Sequence, residues 1–452
     1  MTDPTFETLL SRELRAYAEA GIRPIDRFAI AEETIASGRT MPRWRRGWGL
    51  APMRGNRVLV PLLVGLLLAA LAGGALLVGS RLLAPPLPKQ HAYLNEFVSA
   101  PGLSRPMAAP LLAPLVDGRV LVIGGGSDGE EQTWTGIVYD PATGVSVPAL
   151  TDVHVSPVVR LQDGRVLIIG DGSARVFDPT TLRLEPAGPM ATARLWPEAA
   201  VLHDGRVLIV GGEDGKGGEL LTAELFDPDT LTFSPTGSMG AAPLHSYSIW
   251  AANSLAIATL PDGRVFVLAN RATSPTTEAI EAEIYDPSTG AFSAAGTMPK
   301  FDVAAAIVIP DGRVVVVGQS KIKSSFTNPY LAPYRGNAAV WDPTTRTFSP
   351  AGDLPDPVFG ATLLHDGRIL LIGDRSDVVP KMAWAGIYDP ASGVTIPIEP
   401  PSAWWPSLVR LDDGRVLAVG GLVDGNGRIR VGENGQQGGI DAPSVPTVEI
   451  FQ

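Results

Sequence analysis

The sequence predicts an all-β fold, a seven-bladed propeller over residues 91–452 in which each blade is a four-stranded antiparallel sheet. Three observations predict it. An Asp-Gly-Arg triplet set between two apolar runs begins at Asp117, Asp163, Asp204, Asp262, Asp311, Asp366 and Asp413, about 49 residues apart on average. An aromatic-Asp-Pro triplet follows in six of these seven repeats, at Tyr139, Phe177, Phe226, Tyr285, Trp341 and Tyr388. The seventh repeat lacks a last strand, and a matching stretch stands ahead of the first.

Each element has a physical reason. Asp-Gly tolerates the positive φ of a tight turn, so the triplet joins strands a and b of a hairpin. Its flanks, such as AVLHDGRVLIVGG and IVIPDGRVVVVG, are β-branched and apolar. Proline cannot continue a central strand, so the Asp-Pro pair marks the turn between strands c and d. Short strands d follow, as in Thr232-Phe233-Ser234 and Thr347-Phe348-Ser349. The chain stops one residue after Val448-Glu449-Ile450-Phe451, which has the place of strand c in the last repeat. Phe97-Val98-Ser99-Ala100-Pro101-Gly102-Leu103 matches the strand-d stretch Phe348-Ser349-Pro350-Ala351-Gly352-Asp353-Leu354. Residues near 95–99 are therefore expected to complete the last blade beside 447–451, which removes a bare sheet edge.

These paired turns resemble kelch repeats and the galactose-oxidase-like propellers, over about 360 residues. The tryptophan usual on strand d of kelch repeats is Phe, Leu or Val here. The resemblance implies a binding scaffold or an oxidase. The copper radical oxidases on this fold use a Cys-linked tyrosine with histidine ligands, and this chain has no Cys, so that centre is not assembled in their manner. The five histidines, His91, His154, His203, His245 and His365, show no metal-ligand spacing. The loop Asp424-Gly425-Asn426-Gly427 has part of a calcium-loop pattern without the further acids. No metal, no cofactor and no catalytic residue are expected.

Ahead of the propeller, residues 58–80 form an uncharged run of 23 residues. As a helix it spans about 34 Å, enough for a hydrocarbon core of about 30 Å. Residues 1–57 carry 10 Arg against 7 acidic side chains, and only Arg81 and Lys89 follow the run closely. The positive-inside rule then puts the N-terminus in the cytoplasm and the propeller outside, joined by a linker over 81–90. Within 1–57, Asp3-Pro4 opens an amphipathic run ending at Gly21, and a second runs from Pro24 to near Gly38. These two short helices are a candidate docking element for a cytoplasmic protein. The layout resembles that of bacterial transmembrane anti-sigma factors, without a zinc-binding His/Cys cluster.

Charge excludes one class of partner. Residues 90–452 hold 24 basic and 40 acidic side chains, so the domain lacks the basic footprint that nucleic acid requires. In an up-down blade the a–b and c–d turns share one end. There the Arg that opens strand b is expected to pair with the Asp that ends strand c, as Arg206 with Asp227. The b–c loops and the blade-to-blade connections share the other end, which is the variable one. Tyr330, Tyr334, Arg335, Trp404 and Trp405 are its candidate ligand contacts, for an extracytoplasmic protein or glycan. Trp196 and Trp250, each close to a strand start, are expected to pack between blades. The functional expectation is a non-catalytic, membrane-tethered binding propeller. The alternatives are a transmembrane regulator with an outer sensor and a divergent hydrolase using carboxylates on a face of the propeller.

Overall fold

A computed structural model describes residues 95–125, 134–151, 157–170, 172–243, 257–270, 279–321, 334–375, 383–421 and 445–452. The apolar run at 58–80, the linker and the two amphipathic segments lie outside the described residues, as do Tyr330, Trp250 and the loop at Asp424.

Seven antiparallel sheets follow one another along the chain, each with its strands paired in the order a-b-c-d. Blade 4 has one extra short strand, Ala242–Pro243, paired to its strand b. The first strands of neighbouring blades meet in ring order, blade 7 against blade 1 included, so strands a surround the axis. Strand b is apolar on both sides because both sides are interior. In blade 5, Val314 and Val316 face the core shared with blade 4, whereas Val315 and Val317 face the core shared with blade 6. Seven such cores lie between the seven pairs of adjacent blades. A strand buried on both faces reads as a continuous apolar run rather than an alternating one.

The ring closes as the sequence predicts. Phe97–Ala100 pairs antiparallel with Val448–Phe451, in the register Phe97 to Phe451 through Ala100 to Val448. The Phe97 and Phe451 rings lie 5.1 Å apart. The last blade is thus built from both ends of the propeller.

The aromatic of each aromatic-Asp-Pro triplet ties its blade to the one before. It is fully buried, and where it has a polar atom that atom reaches the preceding blade. The Tyr139 hydroxyl donates to the Pro101 carbonyl at 2.6 Å, and the Tyr388 hydroxyl to Ala351 at 2.8 Å. The Trp341 indole N–H donates to Ala295 at 2.7 Å. Tyr285 shares a 2.8 Å hydrogen bond with the Thr236 hydroxyl. Each ring has a large apolar area to bury and a polar atom that needs a partner, and one contact serves both.

The turn end corrects one expectation. Arg206 pairs not with Asp227 but with Asp204 of its own triplet, Nη2 to Oδ2 at 2.6 Å. All seven triplets form the same local pair. The reason lies in the turn. Gly118 takes φ +85°, and its N–H donates to the Leu115 carbonyl at 3.1 Å. The Asp117 carboxylate then folds back to accept from the Arg119 backbone N–H and guanidinium. That leaves the guanidinium's other edge for the next blade: Arg119 donates to the Pro179 carbonyl at 3.1 Å and Arg165 to Pro228 at 2.6 Å. The Arg119 side-chain hydrogen bond holds the Asp117 carboxyl below its ordinary pKa. Being half exposed, each local pair contributes under about 1 kcal/mol.

Two outcomes test this frame. Deleting residues 90–100 leaves Val448–Phe451 as a bare edge, and we expect insoluble or aggregating protein; an unchanged melting curve would refute the closure. Tyr388→Phe should lower stability by about 1–2 kcal/mol in denaturant melts, since it leaves the buried Ala351 carbonyl without its donor.

Candidate functional site

The loop end departs from the regularity of the turn end, and among the described residues blade 3 shows how. The connection into that blade, residues 187–197, is pinned by a buried ion pair. Arg194 is 1% exposed and Glu224, on strand c, 2%. Arg194 Nη2 lies 2.9 Å and Nε 3.2 Å from Glu224 Oε1. Its other donors go to the carbonyls of Gly211 (2.9 Å) and Thr222 (2.7 Å) and to the Thr222 hydroxyl (2.9 Å). Glu224 also accepts from the backbone N–H of Ala191 at 2.8 Å. A buried pair is tolerable only when its remaining donors and acceptors are satisfied, as they are here. One residue on, Leu195 and Glu213 exchange two backbone hydrogen bonds of 2.9 and 2.8 Å, joining the connection to the b–c loop.

Glu224 is one of three carboxylates that act in this way. Glu283 accepts from the N–H groups of Gly240 and Ala241, and Glu449 from that of Ser402. All three stand two residues before the buried aromatic of strand c. Each fastens the connection that enters its own blade.

Past the pinned segment come Trp196, Pro197 and Glu198. Trp196 has φ +49°, a left-handed backbone that costs a side chain with a Cβ about 1–3 kcal/mol. Its side chain is not packed between blades, as its place before a strand suggested, but 56% exposed. The left-handed turn lifts it off the sheet. Glu198 opens strand a of blade 3, on the innermost ring, and is 9% exposed. Along this strand Ala200 faces the core shared with blade 4 and Ala199 the core shared with blade 2. Alternation puts Glu198 on the blade 4 side. No hydrogen bond or ion pair compensates its carboxyl among the described residues. Burial alone pushes its pKa from the ordinary 4.5 to about 8, so the group is protonated at neutral pH.

The sequence-predicted residues are distributed differently. Tyr334 opens strand c of blade 5 beside Lys321. Its pKa is raised, first by burial and then by the charge of Asp302. Arg335 is exposed, its Nε 3.4 Å from the Ser320 hydroxyl. Trp404 is buried, at 6% exposure. Trp405, at φ +51°, lies edge-on to Trp404 and to Phe359 with ring centres 6.1 and 5.7 Å apart. Tyr334 and Arg335 stand on blade 5 and the two tryptophans on the connection into blade 7. Sequence reasoning missed Arg194, Glu198 and Glu224. The visible signals were the repeated Trp-Pro before strand a, at Trp196 and Trp405, and the recurring Glu two residues before the strand-c aromatic.

His203 and His365 precede Asp-Gly turns, at the opposite end of the blades from Glu198. No group of three or more His, Cys, Asp or Glu side chains that could hold a metal ion occurs among the described residues.

Among known proteins, no family model and no curated protein sequence matches the chain. Solved structures do. One is a fungal alcohol oxidase of the AA5 family, in complex with copper, 15% identical, with a TM-score of 0.54 over 79% of this chain and 75% of that one. At that identity the likeness shows the fold alone: a seven-bladed β-propeller with a galactose-oxidase-like neighbour. It also corrects an expectation. A non-catalytic binding module, with enzyme activity excluded, does not stand when a solved protein sharing the architecture is an oxidase.

Two measurements check the geometry. Glu224→Ala strands the Arg194 guanidinium in the interior and should cost about 3–5 kcal/mol in denaturant melts. Glu198→Gln should behave in the opposite way. The wild-type carboxyl binds its proton more tightly folded than unfolded, so stability falls as pH rises from 4.5 to about 8. The variant has no such proton, and its stability advantage should grow across that window by a few kcal/mol. A constant difference between the two proteins from pH 4 to 9 would contradict the assignment.

Proposed function

We propose that the chain is a divergent kelch-type propeller enzyme, a hydrolase whose active surface is the loop end near blade 3 and whose proton donor is Glu198. The observation that carries this reading is a carboxyl with no compensating partner at the mouth of the innermost strand. Burying an uncompensated polar group costs stability, and the fold does not need it: the equivalent position in blade 7 is Ser407. A carboxyl held neutral near pH 7 is the requirement for a general acid. In the step proposed, Glu198 gives its proton to the oxygen of the leaving group as the bond to that oxygen breaks. Water supplies hydroxide to the other fragment and returns a proton to Glu198, so the acid is restored.

That a solved alcohol oxidase has this architecture supports an enzyme reading of it. We place the enzyme at a membrane, with residues 58–80 as a single span, residues 1–57 in the cytoplasm and the propeller outside. The 23-residue uncharged run and the arginines before it support that arrangement. On this reading residues 1–57 are a docking segment for a cytoplasmic protein.

The test is a hydrolase screen of the full chain with chromogenic esters and glycosides, followed by kinetics on whichever is turned over. Glu198→Gln should lower kcat by about 100-fold or more without loss of the folded state. The wild-type rate should fall above about pH 8, where the donor loses its proton. Full activity in Glu198→Gln would remove Glu198 from the reaction.

A further inference from the structure

The outer wall of the ring is polar on four blades and apolar on three. Strand d is the outermost strand of each blade. One position on it pairs with the residue just before the strand-c aromatic. In blades 2 to 5 that position is Glu185, Ser234, Ser293 and Ser349. In blades 6, 7 and 1 it is Ile396, Val98 and Val147. These three blades are consecutive, because blade 7 meets blade 1. Two residues earlier, at the turn end of the wall, blades 6 and 1 add Val394 and Val145.

The five aliphatic side chains are between 37% and 54% exposed. They are five of the eight large apolar side chains exposed among the described residues. Single exposed aliphatics need no explanation, whereas a set confined to adjacent blades does. Folding does not require it, since Glu and Ser serve the same position elsewhere in the ring.

Charge and connectivity narrow the occupant. Over residues 95–100, 144–150 and 393–398 the one charged side chain is Glu96. That wall has little to offer a charged protein or an anionic headgroup. The uncharged 23-residue run ends at Ser80, and Phe97 opens the outer strand of blade 7, the middle blade of the three. The residues between them, 81–96, reach at most about 55 Å when fully extended. They join strand d at its turn end, where Val145 and Val394 stand on the flanking blades.

We propose that the outer wall of blades 6, 7 and 1 is a membrane-docking surface, and that its partner is the apolar boundary of the bilayer in which the chain is anchored. This rests on the placement of residues 58–80 in a membrane. Five aliphatic side chains hold a bilayer weakly on their own. The tether makes the contact intramolecular, and an effective concentration in the millimolar range turns it into a fixed orientation. With its wall on the lipid, the ring keeps its loop end open to solvent.

The chain has no Cys, so single cysteines report without background. Full-length chains with Val147→Cys, Val394→Cys, Ser234→Cys or Ser293→Cys are labelled with a fluorophore, reconstituted in phosphatidylcholine vesicles and quenched with a nitroxide lipid. Quenching at the two valine positions should exceed that at the two serine positions about threefold or more, and high salt should leave the difference intact. Equal quenching at all four positions overturns the surface, as does a difference lost in high salt. Disulfide linkage of two chains through the valine positions without lipid quenching assigns the wall to a second copy and also overturns it. Alkaline carbonate separates this proposal from the one it rests on. Release of the chain removes the membrane span; in a released chain the surface stands if the valine labels are still the more quenched and falls if they are not.

Discussion

Ring closure is the constraint on which the rest of the propeller depends. Every blade is apolar on two faces, so each must be covered twice, and an open row of blades would leave the first and last half bare. The antiparallel pairing of Phe97–Ala100 with Val448–Phe451 removes that problem. It completes the last blade, and it brings Pro101 to where Tyr139 of the first blade can donate to it. The bond across the junction is the same one that Tyr388 and Trp341 make between interior blades. The seam is therefore chemically like the other blade junctions.

With the ring fixed, its two ends have different freedoms. At the turn end the triplet charges find partners close by: aspartate with the arginine of its own triplet, and that arginine in blades 1 and 2 with the proline carbonyl of the next blade. The loop end has costly features of its own. A fully buried ion pair, two left-handed tryptophans, an uncompensated carboxyl at Glu198 and a buried Ser407 hydroxyl without a partner all lie there. Strain and unsatisfied polarity cost stability, and a rigid ring can carry them. The buried ion pair and the uncompensated Glu198 carboxyl are the physical argument for function at that end, since left-handed non-glycine residues stand at both ends, with Leu182, Leu231 and Arg346 in the c–d turns.

The fold was legible because its turns have narrow chemistry. A glycine that must take a positive φ recurs in step with a proline that must end a strand, and both show in the sequence. The closing strand was legible because its pattern repeats that of other strands d. The partner of each triplet arginine was not, for a local reason. Spacing along the chain suggests Asp227 for Arg206, whereas the glycine turn folds the Asp204 carboxylate back onto it at two residues' distance. The site was legible only in part. That Trp196 is lifted out depends on a backbone angle, and a proline after it is compatible with either outcome. The Arg194 and Glu224 pair spans 30 residues and has no spacing rule. A single buried carboxyl carries no motif, which is why the residues alone show no sign of acid–base chemistry and favour a non-catalytic reading.

The proposed chemistry stands or falls on Glu198 remaining protonated at neutral pH at the mouth of the innermost strand. Infrared difference spectroscopy of the full chain against Glu198→Gln tests this most directly, by following the protonated carboxyl C=O band that the substitution removes. One such band should be present at pH 7 and lost on titration near pH 8. A band that disappears with the ordinary carboxylates near pH 4.5 would contradict it.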